Sequence, residues 1–111
     1  MLIAALASLV LVQYGSYASN DEIKAAETAY SKCLLQHAAT MDDGISDAAT
    51  IAQGVAPACV SELRNVEETY TRGENPQLQL MIRERLNATQ QSEAVTAVLA
   101  VRRVRRSKQP Q

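Results

Sequence analysis

The sequence predicts an all-α fold, and three observations carry that expectation. Apolar residues recur at spacings of three and four over long stretches. Helix-cap signals stand where those stretches begin, at Ser19, Ser46-Asp47 and Asn75-Pro76. The composition is rich in Ala, Leu, Gln, Glu and Arg, with only 4 Gly and 3 Pro in 111 residues. No strand signal of useful length, internal repeat or Gly-rich loop interrupts this pattern. The expected architecture is an antiparallel helical hairpin of two long helices, the second kinked. A third, C-terminal helix packs on the hairpin and a helical signal segment precedes it.

The signal segment is residues 1–18. The run 2–12 carries no charge and only Ser8 as a clearly polar residue. That is the length of a signal-peptide apolar core, well short of the ~20 residues of a membrane-spanning helix. Gln13, Tyr14 and Gly15 end the run, and Ser16-Tyr17-Ala18 places small residues at the two positions read by a signal peptidase. No Lys or Arg stands in front, so the α-amino group alone supplies positive charge there. A start codon assigned downstream of the native one would account for this. The expected location is therefore the bacterial periplasm or the medium. An uncleaved N-terminal membrane anchor and a buried apolar helix are the alternatives.

Beyond the signal segment the chain is expected to form one small helical domain, 19–106, and a disordered basic tail, 107–111. The first helix opens at the capping box Ser19-Asn20-Asp21-Glu22, with acidic residues where the helix dipole favours them. Ile23, Ala26, Tyr30, Cys33, His37 and Met41 form its expected inner face, and Asp42-Asp43-Gly44 ends it. The second helix carries Ile51 or Ala52, Val55, Cys59, Leu63, Val66 and Tyr70 inward. Pro57 removes the N–H that would bond the Gln53 carbonyl, which predicts a kink or break around Gly54–Pro57. Arg72 to Pro76 ends it and caps the third, expected from 76 to about 103 with Leu78, Met81, Ile82, Leu86, Val95, Val98 and Leu99 inward. The polar run 87–93 predicts a bend or a solvent-facing stretch.

The chain has 2 Cys, no Phe and no Trp, so its core is thin for its size. Cys33 and Cys59 lie on facing helix surfaces across the Asp42–Ser46 turn, about eight residues before it and twelve after. An offset of four residues is ~6 Å on straight helices, slightly long for a disulfide unless the kink absorbs it. Export, an even cysteine count and a thin core together predict that bond, worth around 3 kcal/mol for this loop length. Free buried thiols are the alternative. Cys33, His37 and Cys59 also form a possible metal-ligand set. It lacks a fourth ligand and a second histidine, so no metal and no other cofactor is expected.

Other chemistry finds little support. The serines sit in no strained strand-to-helix turn, and the single His shares a face with a cysteine. Asp42-Asp43 and Glu67-Glu68 are sequence neighbours, not carboxylates facing each other across a cleft. The match to a glycosylation sequon at Asn87-Ala88-Thr89 has no meaning in a bacterial export route. The chain is thus expected not to be an enzyme.

Charge divides the chain. Between 19 and 76 ten acidic residues face four basic ones, whereas the last ten residues carry Arg102, Arg103, Arg105, Arg106 and Lys108. This cluster suits either an anionic partner (a protein or a membrane surface) or the chain's own acidic body. Nucleic acid is not expected as a partner, since aromatic residues are not interleaved with the cations. The leading expectation is an exported binding protein. In size, address and cysteine number the chain is also similar to the acid-stress chaperones of the periplasm, which implies an alternative role of that kind. A Cys/His metal-binding protein is the third alternative.

Overall fold

A computed structural model of the chain describes residues 16–109, and within them every regular element is an α-helix. The order is α1 (Asn20–Met41), α2 (Ala48–Ala58), α3 (Val60–Thr71) and α4 (Pro76–Lys108). Most of the expected signal segment lies outside the described residues.

Each helix of the two main arms starts where its cap dictates. The Glu22 N–H donates to Ser19 Oγ at 3.1 Å while the Glu22 carboxylate accepts from the Ser19 N–H at 3.4 Å, completing the capping box of α1. Asp47 caps α2 by accepting from the Thr50 N–H at 2.8 Å. Asn75 caps α4 by accepting from the Leu78 N–H at 2.9 Å, with Pro76 in the first turn, where no N–H is needed. Gly44 and Gly73 take φ of +74° and +83° in the two main turns, a region other residues resist.

The expected interruption of the second helix is a full break. Pro57 lies in the last turn of α2, and the chain restarts as α3 after Cys59 (φ −111°). The Cys59 N–H reaches back only to the Ala56 and Pro57 carbonyls, a tightened turn in place of a continuing helix. The break therefore falls two residues beyond the proline.

The core comprises Ala26, Tyr30, Leu34 and Ala38 from α1, Ala52, Val55 and Ala56 from α2, Cys59 at the break, Leu63 and Val66 from α3, and Ala94, Ala97 and Val98 from α4. The inner face of α1 is rotated from the expected one. Leu34 and Ala38 are buried, Ile23, Cys33 and His37 are half-buried, and Met41 is exposed. The reason is that α1 touches all three other helices, so its buried stripe centres on residues four apart between them. In α3, Tyr70 lies at the edge with its ring partly in solvent.

The last helix differs most from expectation. It runs unbroken through 87–93 and on to Lys108, so Ser107 and Lys108 are helical and not part of a disordered tail. Residues 110 and 111 lie outside the described ones. At 33 residues it spans ~50 Å, longer than the surface it packs against. Only Ala94, Ala97 and Val98 are fully buried, whereas Met81 is 64 % exposed and Leu80 and Leu99 are also exposed.

Cys33 and Cys59 lie at disulfide distance, with sulfurs 2.13 Å and Cα atoms 5.9 Å apart. The link spans 26 residues of sequence, and closing such a loop restricts the unfolded chain by about 3 kcal/mol. Chemical denaturation with and without reductant is expected to differ by about that amount, with Cys59→Ala matching the reduced protein. Equal stability in both states would show that packing alone holds the break in place.

Candidate functional site

Three groups of residues could carry function: the cysteine cluster, the basic end of α4, and a groove bounded by α1, α3 and α4.

The cysteine cluster brings together the three ligand candidates. Cys33, Cys59 and His37 place their sulfur and nitrogen atoms within 4.8 Å of one another. Cys59 is buried, and His37 sits one turn after Cys33 on α1. With the sulfurs bonded to each other, neither is a thiolate, and the cluster offers one imidazole. Only the reduced protein would present three donors.

The basic residues separate into two groups. Arg102 and Arg105 turn onto the Asp42 carboxylate, whose side chain is 1 % exposed. Arg102 donates to it from Nε at 3.2 Å and Nη2 at 2.8 Å, Arg105 from Nη1 at 3.1 Å, and the Gly44 N–H at 3.1 Å. Arg102 Nη2 also reaches the Ser46 carbonyl, and Arg105 Nη2 donates to the Ala39 carbonyl at 2.6 Å. These carbonyls belong to the last turn of α1 and the loop after it. The last turn of α1 has no basic residue of its own, so α4 supplies the cations that its terminal carbonyls favour. The Arg102 hydrogen bonds hold the Asp42 carboxyl below the ordinary carboxylate range, against the opposing effect of burial. Next to it, Asp43 accepts from the Ser46 hydroxyl and the Ile45 and Ser46 N–H groups, and its pKa falls to about 2. Arg103, Arg106 and Lys108 are exposed and make no ion pair among the described residues.

A second ion-pair network ties the other end of α1. Arg72, after α3, bonds Glu22 at 2.6 Å and Glu68 at 2.7 Å. Its guanidinium lowers the pKa of both carboxylates. These groups are well exposed, so the network contributes little to stability.

The groove lies where α4 stands off α1 and α3. It has a volume of about 760 Å³ and an open mouth. Leu34, Leu35, Leu63, Val66, Ile82 and Leu86 form its apolar lining. Polar groups from Glu27, Tyr30, Tyr70, Arg85 and Glu93 also line it. At the rim Tyr70 donates its hydroxyl to the Glu27 carboxylate, which also raises the phenol's pKa, and Arg85 stands exposed. Tyr30, 6 % exposed, has its hydroxyl oxygen buried with no hydrogen-bond partner among the described residues. Burial first, then the Glu93 carboxylate across the groove, push that phenol's pKa upward. Glu93 stands outside hydrogen-bond geometry to Tyr30 and accepts instead from Thr89 Oγ1 at 3.2 Å.

Sequence reasoning placed Tyr30 on an inner face and Glu93 in a polar stretch, but did not join them. The available signal was chemical: a tyrosine amid Ala and Leu needs a partner for its hydroxyl, and none stands on its own helix face.

Asp42 and Tyr30 each yield a test. Asp42 has a folded pKa below its unfolded value, so its stabilising effect is present above about pH 4 and is lost as pH falls further. Asp42→Asn should therefore lower Tm at pH 7, with the gap to the unaltered protein narrowing below about pH 4; a constant gap would show that Asp42 acts by shape alone. Tyr30→Phe removes a buried polar atom that has no partner, and is expected to stabilise the protein by ~1 kcal/mol in urea titration. A loss of similar size would show that the hydroxyl is bonded in solution.

Compared with protein-family models, with curated proteins and with solved structures, the chain matches none, and the meaning of its groove rests on its own residues.

Proposed function

We propose that this chain is a small exported helical binding protein without a catalytic site, and that the α1–α3–α4 groove is its binding element. The observation that carries the reading is the Tyr30 hydroxyl, buried and unpartnered among the described residues in a mainly apolar groove. A buried polar atom left without a partner costs ~1–3 kcal/mol, a cost that a ligand able to bond it would remove. The volume lies in the range of small-molecule sites, and a mainly apolar lining with convergent polar groups is their usual character. Outside the groove, Asp42 is engaged by arginines, Asp43 by its own turn and Glu68 by Arg72.

Export belongs to the same proposal. Removal of 1–18 would make Ser19, the α1 cap, the first residue, and would leave the hairpin of α1 against the broken α2–α3 pair with α4 laid on it. The Cys33–Cys59 pairing supports an oxidising address. The exposed Arg103, Arg106 and Lys108 are the cations free to meet an anionic protein or envelope surface. One observation also favours an acid-responsive variant of this role. Asp42 is the carboxylate to which the C-terminal end of α4 is clasped, so its protonation would loosen α4 and open the groove further.

Phenylnaphthylamine, a neutral probe that fluoresces in apolar surroundings, is expected to bind the full chain at one saturable site. Ala100→Trp, which fills the groove from the half-buried α4 side, should abolish it. Saturable binding that survives Ala100→Trp would place the site elsewhere. Mass spectrometry of protein recovered from the envelope fraction is expected to show a chain starting at Ser19 and two hydrogens lighter than its reduced form. A full-length mass would overturn the cleavage.

A further inference from the structure

We propose that the groove takes a cationic amphiphile: a single apolar chain or ring system ending in a primary amine, with the ammonium held between Glu93 and the Tyr30 hydroxyl. This assignment rests on the groove being the binding element.

Three features of the groove select the head group. First, among the described residues it holds one phenol oxygen with an unused acceptor site and one carboxylate whose only hydrogen bond is to Thr89. An ammonium N–H can donate to both at once, which satisfies the orphaned oxygen and pairs the carboxylate charge. Second, the charged groups around the groove are Glu27, Glu93 and Arg85. Two carboxylates against one exposed guanidinium favour a cation and disfavour a carboxylate or phosphate head. Third, Tyr30 and Tyr70 both present aromatic rings to the groove, and a cation near a ring face gains further. Burial pushes the Tyr30 phenol's pKa upward, so it stays a neutral acceptor for the ammonium.

The rest of the ligand is set by the wall. Leu34, Leu63, Val66 and Leu86 offer no hydrogen bond, so the body of the molecule is hydrocarbon. The volume of about 760 Å³ suits a small molecule lying within the groove. A quaternary ammonium carries the same charge but has no N–H for Tyr30, so the primary amine should bind tighter.

The test uses four ligands with one tail: octylamine, octyltrimethylammonium, octanol and octanoate, titrated calorimetrically into the full disulfide-bonded chain. Octylamine is expected to bind tightest at one site, octyltrimethylammonium and octanol more weakly, and octanoate least. Glu93→Gln keeps the size and the Thr89 contact; it should weaken octylamine about tenfold and change octanol less than twofold. Tyr30→Phe should weaken octylamine while leaving octyltrimethylammonium unaffected, and circular dichroism of both variants checks that they fold. Octanoate binding as tightly as octylamine would overturn the head-group assignment, as would octylamine binding indifferent to Glu93→Gln. If phenylnaphthylamine occupies the groove but octylamine displaces it no better than octanol, the amine is wrong and the groove stands. If neither the probe nor any alkyl ligand binds, the groove reading itself fails.

Discussion

The Cys33–Cys59 bond at the point where Pro57 breaks the second helical segment is the constraint on which the other contacts depend. A proline-broken helix has two pieces whose relative direction is weakly specified by local forces. Fixing Cys59, fully buried at the joint, to the middle of α1 gives both pieces a common origin. From there α2 runs back to the Asp42–Asp47 turn and α3 runs on to Arg72, both packed against α1. The side chains that fill the space are small, and burial of Ala and Val alone supplies little free energy per residue. A covalent joint offsets that shortage where the backbone hydrogen bonding is interrupted.

Polar matching at the two ends of α1 completes the arrangement. Its first turn is acidic and finds Arg72 from the end of α3; its last turn has terminal carbonyls and no cation, and finds Arg102 and Arg105 from α4. The second of these matches determines how α4 is held. Its N-terminal end leaves the Gly73–Asn75 turn, its C-terminal end is clasped to Asp42, and only the stretch around Ala94 to Val98 is tightly packed. The groove exists because a helix fastened at those places does not close onto α1 and α3 along its whole length.

Much of this was legible in the residues. Ser19, Asp47 and Asn75-Pro76 mark helix starts through local hydrogen bonding, and local rules read them well. Pro57 announces a break by its missing N–H, although where the chain restarts depends on what Cys59 packs against, and the break falls two residues further on. The rotation of the α1 face was not legible, since spacing alone cannot tell whether a helix has one neighbour or three. Leu34 and Ala38 became core, and Met41 surface, only through tertiary packing. The split of the basic residues was half visible: an acidic body and a basic end invite each other, but which arginines reach Asp42 depends on the phase of α4. The approach of Tyr30 to Glu93 lies farthest from sequence, because it joins the first helix to the last through packing that no local pattern encodes.

The alanine-built core has a consequence for how this protein can change. Ala26, Ala38, Ala52, Ala56, Ala94 and Ala97 are six of its buried positions, and they let helix backbones approach closely. In most domains the damaging substitutions are those that remove bulk from large buried side chains. Here there is little bulk to remove, and the sensitive direction is enlargement: one added methyl group at Ala38 or Ala52, both wholly enclosed, must displace a neighbouring group. The permitted alphabet at these sites is therefore narrow at its upper end. Diversity among chains of this design should collect on the outward faces and around the groove, where size is free to vary and where a change of ligand would be made.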